Sequence, residues 1–208
     1  MLRTFLVCIG PGPGVASALD SYVLVKGMMT GKTMNRLYWI TGLAGAGKTT
    51  IARALVDVLH SQSVSAVLLD GDELREAFAM TDLHSPEDRL RLANCYARLG
   101  RLLHVQGLNV VCATISPFPE VRQWLRANVP GYVEVYVRVS TTTLNQRDKK
   151  GLFSGADRRD IANVVGRDIP FVVPAAPDVV IDNEPGTSID KHVQRILHCE
   201  VNPLCYSA

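Results

Sequence analysis

The sequence predicts an α/β fold: a three-layer α/β/α sandwich on a mostly parallel sheet, with a lid. Three observations carry this expectation. From residue 37 onward, short apolar runs of strand length alternate with segments of helical period. Those runs are apolar throughout rather than on every second residue, as strands covered on both faces are. A glycine-rich turn, Gly42-Leu43-Ala44-Gly45-Ala46-Gly47-Lys48-Thr49-Thr50, joins the first run directly to the first helical segment.

Each element follows in order. Leu37-Tyr38-Trp39-Ile40-Thr41 is apolar, aromatic and β-branched, and predicts a strand. After the turn, Ile51, Ala54, Leu55 and Val58 recur at helical spacing over residues 50–60. Residues 65–69 predict the second strand, with Asp70-Gly71-Asp72 at its carboxyl end. A helix over about residues 86–106 is introduced by Ser85 as a cap, carries Asp88 in its first turn and is closed by Gly107. Then come a strand at 109–114, a helix at about 118–128, a strand at 133–137, a helix from near Thr141 and a last strand at 178–182. Ligands of such a sheet collect at the carboxyl ends of its strands.

Composition bounds the function. The 208 residues suffice for one well-buried domain, and 47% hydrophobic with 20% charged residues describes an ordinary globule. A net charge of +2 argues against a nucleic-acid partner, and no run reaches the roughly 18 apolar residues of a membrane span. The basic residues are mostly arginines, which suit bidentate recognition of phosphate or sulfate. Five scattered cysteines without a C-x-x-C pair indicate neither zinc nor a disulfide framework, and Cys112 reads as a small buried apolar residue. A cytoplasmic setting follows as the expectation. Residues 1–36 read as a poorly ordered extension: the apolar run Phe5–Ile9 is cut short by Gly10-Pro11-Gly12-Pro13-Gly14, and Met28, Met29 and Met34 are candidate starts. The domain proper is expected over 37–200.

The glycine turn fits G-x-x-x-x-G-K-[ST], and it lies between a strand and a helix as that motif requires. Such a P-loop points backbone N–H groups and the positive end of a helix at one spot, which is a site for the phosphates of ATP. The whole of Gly42–Thr50 is assigned to it, with Lys48 reaching the β/γ-phosphates and the Thr49 hydroxyl on Mg²⁺. Asp70 and Asp72 supply carboxylates for Mg²⁺ and its waters, or for drawing a proton from an attacking hydroxyl. Arg75 and Arg89 are candidates for an anionic acceptor. Ser116, ending the third strand, caps the next helix or holds the acceptor; with no histidine nearby in sequence, activation as in a catalytic triad is unsupported. Phe118 stacks on a ligand base or packs in the core. Arg147-Asp148-Lys149-Lys150-Gly151 opens a charged stretch rich in glycine and proline, which predicts a lid over about 150–175 that brings Arg147 and Lys150 to the nucleotide. A nucleotide hydrolase or regulatory module with no small acceptor stands as the alternative of another class. The Asp-Gly-Asp-x-x-Arg run and the basic lid weigh against it.

Taken together, Gly42–Thr50, Leu69-Asp70-Gly71-Asp72-Glu73-Leu74-Arg75, Ser85-Pro86-Glu87-Asp88-Arg89, Ile115-Ser116-Pro117-Phe118, residues 147–153 and Gly166-Arg167-Asp168-Ile169-Pro170-Phe171 resemble the adenylylsulfate kinase family of P-loop kinases. The resemblance implies ATP- and Mg²⁺-dependent phosphorylation of the 3′-hydroxyl of adenylylsulfate, and a homodimer. It implies that Arg75 and Arg89 face the acceptor, that Arg147 and Lys150 serve the nucleotide and lid, and that Ser116 occupies the family's phosphoserine position. Two departures stand out. Asn94 replaces an arginine expected to face the acceptor's anion, and Val164-Val165-Gly166 replaces Phe-Thr-Gly, removing an aromatic shelf over the acceptor base. Asn163-Val164-Val165-Gly166, together with Asp72-Glu73-Leu74-Arg75 and Thr114-Ile115-Ser116, resembles instead a branch that phosphorylates cytidine diphosphoramidate in capsule modification.

Overall fold

The strand Leu37–Thr41 (β1) is buried along its whole length and is the middle strand of a five-stranded sheet. The computed structural model describes residues 34–81, 85–147 and 163–200. Its other strands are β2 (Ala66–Asp70), β3 (Asn109–Ala113), β4 (Tyr132–Arg138) and β5 (Val179–Asp182). The order across the sheet is β2-β3-β1-β4-β5, and every pairing is parallel, so the expected mostly parallel sheet is wholly parallel among the described residues. The helices are α1 (Lys48–Ser61), α2 (Gly71–Ala77), α3 (Pro86–Val105), α4 (Pro119–Asn128), α5 (Thr141–Gln146) and α6 (Ile189–Leu197).

The period of two along the strands divides the core into two layers. Tyr38, Ile40, Val111, Ala113, Val133, Val135 and Val137 pack with Ile51 and Leu55 of α1 and Val193 and Ile196 of α6. Leu37, Trp39, Val110, Cys112 and Tyr132 pack on the other face with Leu92, Tyr96 and Ala97 of α3 and Leu125 of α4. Each fully buried Leu or Ile contributes about 1.5–3 kcal/mol, so most of the folding drive resides in these two layers.

The chain leaves β1 for β2 on one side of the sheet, and leaves β3 for β4 on the other. The loops at the carboxyl ends therefore diverge beside β1, which opens a crevice there. Two helices lie where the sequence reading placed none. α2 follows Asp-Gly, a turn signal, but the Asp70 side chain accepts from the N–H of Asp72 and caps a helix instead. α6 is capped by Ser188 and buries only Val193 and Ile196.

Residues 163–175, the described part of the expected lid, are irregular apart from one bridge between Val165 and Ile169. The remainder of the lid, with Lys150, lies outside the described residues, as do residues 1–33 of the N-terminal extension. Among the described residues no helix is long and apolar enough to cross a membrane.

Candidate active site

A cleft of about 600 Å³ opens at the carboxyl ends of the strands. One end is built by the loop between β1 and α1. Gly47 caps α1 at φ +94°, a left-handed conformation that a side chain disfavours. Gly42 lies so close to the Val137 carbonyl that a Cβ would overlap it. Ala44, Gly45, Gly47, Lys48, Thr49 and Thr50 line the cleft, while Gly42, Leu43 and Ala46 shape the loop without lining it. The Lys48 ammonium donates to the Leu43 carbonyl at 2.8 Å, folded back over its own loop.

Facing this loop is the end of β2. The Thr49 hydroxyl donates to Asp70 Oδ2 at 2.7 Å, and the N–H of Asp72 donates to Asp70 Oδ1 at 2.9 Å. Asp70 is buried with both carboxylate oxygens engaged, whereas Asp72 stands exposed in the first turn of α2. The donor set suits a small hard cation: Mg²⁺ keeps several waters and takes few protein oxygens, and here a hydroxyl and a carboxylate meet beside a phosphate loop. Among the described residues no group of three His, Cys, Asp or Glu gathers to hold a metal, here or elsewhere.

The other end of the cleft is basic and aromatic. Arg75 and Arg89 both line it, and Arg89 Nη2 donates to the Asn163 carbonyl at 2.9 Å. Burial, with Arg75 as a like-charged neighbour, lowers the pKa of Arg89, a strain that an anion between the two would relieve. Tyr96 is buried, its hydroxyl 3.3 Å from the Gly71 carbonyl, and Phe118 lines the cleft while also packing against the core. Ser116 lines the cleft at φ +27°, and its buried hydroxyl has no partner among the described residues. It does not cap α4, whose cap residue is Phe118. Its carbonyl accepts from the buried Arg122 at 3.1 Å. Arg147 lines the cleft just beyond α5.

Two sequence expectations fall elsewhere. Asn94 does not line the cleft: on α3 its amide donates back to the Leu90 carbonyl at 3.0 Å. Val164 is buried in the α1 layer of the core, and it is Val165 that lines the cleft. The reason is local: Asp168 accepts from the Val164 N–H and closes a tight turn that directs the two valines differently. Conversely, sequence reading passed over Asn183, Glu184, Pro185, Gly186 and Thr187, which complete the lining beside the loop. The rule that ligands gather beyond strand carboxyl ends, applied to the last strand, points to this segment.

The sequence profile of the adenylylsulphate kinase family matches residues 34–182. The chain is 38% identical over 161 residues to the cytidine diphosphoramidate kinase of Campylobacter jejuni, covering 77% of this chain and 94% of that protein. It is 37% identical over 162 residues to the adenylyl-sulfate kinase of Oceanobacillus iheyensis, covering 77% and 81%. Among solved structures, the Mycobacterium tuberculosis APS kinase CysC, in complex with AMPPNP and APS, superposes with a TM-score of 0.72 at 30% identity, over 80% of this chain and 97% of that one. With a phosphate loop, a hydroxyl–carboxylate pair and paired arginines around one cleft, and with a profile match over most of its length, the chain belongs to the adenylylsulphate kinase family.

Proposed function

We propose that the protein is an ATP-dependent kinase that transfers the γ-phosphoryl group to the 3′-hydroxyl of adenylylsulfate. The carrying observation is that Lys48 and the Thr49–Asp70 pair share one cleft with Arg75 and Arg89. A donor end for polyphosphate faces an acceptor end for an anionic nucleotide. Thr49 and, by way of water, Asp70 and Asp72 would hold Mg²⁺, which would supply charge neutralisation at the phosphates. Lys48 leaves the Leu43 carbonyl to neutralise the β/γ-phosphates. Arg75 and Arg89 hold the acceptor's anionic group, Arg147 covers the nucleotide, and family resemblance gives Lys150 the same task. Asp72 takes the proton from the attacking hydroxyl. Asp70, buried with the Thr49 hydroxyl and the Asp72 N–H on its two oxygens, is assigned to the metal side instead. The new O–P bond forms as the bond to the β-phosphate oxygen breaks, and ADP leaves.

A second reading is favoured by one observation: the Campylobacter jejuni relative is named a cytidine diphosphoramidate kinase. The aliphatic Val165 at the acceptor end suits a smaller pyrimidine. Asn94 and Val164 lend this reading less support than the sequence promised, since neither lines the cleft. A homodimer, on family resemblance, and a cytoplasmic setting, on cysteine usage, complete the proposal.

A side-by-side assay with MgATP and each acceptor, reporting kcat/KM and identifying the phosphorylated product, tests both readings. Adenylylsulfate is expected to give the higher kcat/KM. A strong cytidine preference moves the acceptor assignment and keeps the kinase. ATP hydrolysis at one rate with and without either acceptor overturns the kinase reading.

A further inference from the structure

Asn183 follows β5 directly and is buried, yet the chemistry above gives it no task. Its Nδ2 donates to the Ala46 carbonyl at 2.8 Å, across 137 residues of chain. A carbonyl oxygen can only accept, so this contact fixes which end of the amide faces the loop. The other end, Oδ1, lies 3.3 Å from the Thr187 hydroxyl, whose single proton is shared with the closer Glu184 carbonyl at 2.7 Å. The Asn183 amide therefore sits in a socket with a defined orientation.

The peptide it grips is the one before the cap of α1. In a trans peptide the C=O and the next N–H point in opposite directions. Holding the Ala46 oxygen on Asn183 therefore turns the Gly47 N–H away from β5. Gly47 lies against the same amide: a Cβ there would overlap Asn183 Nδ2. The neighbouring residue strengthens the anchor. The Glu184 carboxylate accepts from the Thr143 hydroxyl at 2.6 Å and from the Ser140 hydroxyl at 3.2 Å, at the start of α5. The end of β5 thus ties the phosphate loop to the helix that leads into Arg147.

We infer that Asn183 is a positioning residue for the donor nucleotide, setting the Ala46–Gly47 peptide so that the loop's N–H groups are arranged before ATP arrives. This rests on the kinase reading above. Without the clamp that peptide is free to rotate, and ATP binding must order it. The acceptor end, built by α2, α3 and the 113–118 segment, does not depend on this contact.

The test uses the full chain and two variants, Asn183→Ala and Asn183→Asp. Calorimetry gives the affinity for MgATP, kinetics give KM for ATP and for acceptor, and thermal melting reports folding. Asn183→Ala is expected to weaken ATP about tenfold, as loss of one buried hydrogen bond to a carbonyl does. Asn183→Asp is expected to weaken it further, about hundredfold, because a carboxylate oxygen then faces the Ala46 oxygen. Acceptor KM should stay within about twofold in both, a split that general destabilisation does not produce. If Asn183→Asp fails to fold, Asn183→Ala decides alone. A wild type that binds ATP alongside an Asn183→Ala variant of equal affinity overturns the positioning role and leaves the kinase standing. Equal losses for ATP and acceptor overturn it as well. A wild type that binds no ATP overturns the kinase reading and this role together.

Discussion

Asp70 and Asp72 are two residues apart and stand in different surroundings. Asp70 is buried, and its oxygens accept from Thr49 and from the Asp72 N–H. Asp72 projects from the first turn of α2 into the exposed side of the cleft. Substituting each should separate metal handling from proton transfer. Asp72→Asn keeps the size and removes the basic oxygen, and is expected to lower kcat by about 10²–10⁴-fold with KM for ATP little changed. Asp70→Asn turns one of the two acceptors into a donor, so the side chain can no longer accept from both the Thr49 hydroxyl and the Asp72 N–H. It is expected to raise the Mg²⁺ concentration needed for half-maximal rate. Rates measured across a magnesium series for both variants check the pair. A kcat loss in Asp70→Asn alone would exchange the two roles. Both residues were visible in the sequence as candidates, but their division of labour depends on Thr49, 21 positions earlier, which only the fold brings alongside.

At the scale of elements, α3 carries Arg89 in its first turn, and the start of that helix is held by its cap. Ser85 Oγ accepts from the Asp88 N–H at 3.1 Å and donates to Asp88 Oδ2 at 2.8 Å. Ser85→Ala is expected to cost about 1 kcal/mol of stability and to raise acceptor KM more than ATP KM, as read from urea melts and steady-state kinetics. An unchanged acceptor KM would show that Arg89 is placed by Asn163 rather than by the cap. This cap was legible because its signal is local: a serine before proline with acidic residues in the first turn. Strand positions were legible for a similar reason, since fully buried parallel strands are continuous apolar runs. α2 was not, because seven residues opening on Asp-Gly carry both turn and cap signals and only the Asp70–Asp72 contact separates them. The direction of Val164 was not either. Adjacent residues in an irregular segment point as the turn dictates, and that turn is closed by the Asp168 carboxylate.

Across the whole molecule, one ion network, buried at Arg122 and Glu134 and half-buried at Arg126 and Asp178, joins parts that the chain separates. Arg122 on α4 lies 2.9 Å from Glu134 on β4, donates to the Ser116 carbonyl at the cleft, and donates to the Val172 carbonyl at 3.1 Å. Arg126, one turn further along α4, pairs with Glu134 at 3.1 Å and with Asp178 before β5 at 3.0 Å. Burial leaves the pKa of Glu134 raised, and the two arginines offset only part of that rise. Charges removed from water in this way are costly unless paired, so the network's net stabilisation is small while its disruption is severe. Arg122→Met strips Glu134 of one partner and leaves two carbonyls without a donor. It is expected to destabilise by about 3–5 kcal/mol, a fall in Tm on the order of 10 °C for a chain of this size. Removing both buried charges in Arg122→Met/Glu134→Leu should recover much of that stability, because no half-satisfied carboxylate then remains beside the sheet and Arg126 keeps Asp178. The double variant still lacks the donor to Ser116, whose positive φ needs outside support. Its acceptor kcat/KM should therefore stay low after the melting temperature has returned. Melting curves and acceptor kinetics on the same preparations separate the two effects. Recovery of stability and activity together would mean that the network holds the fold alone and leaves the Ser116 turn to other contacts.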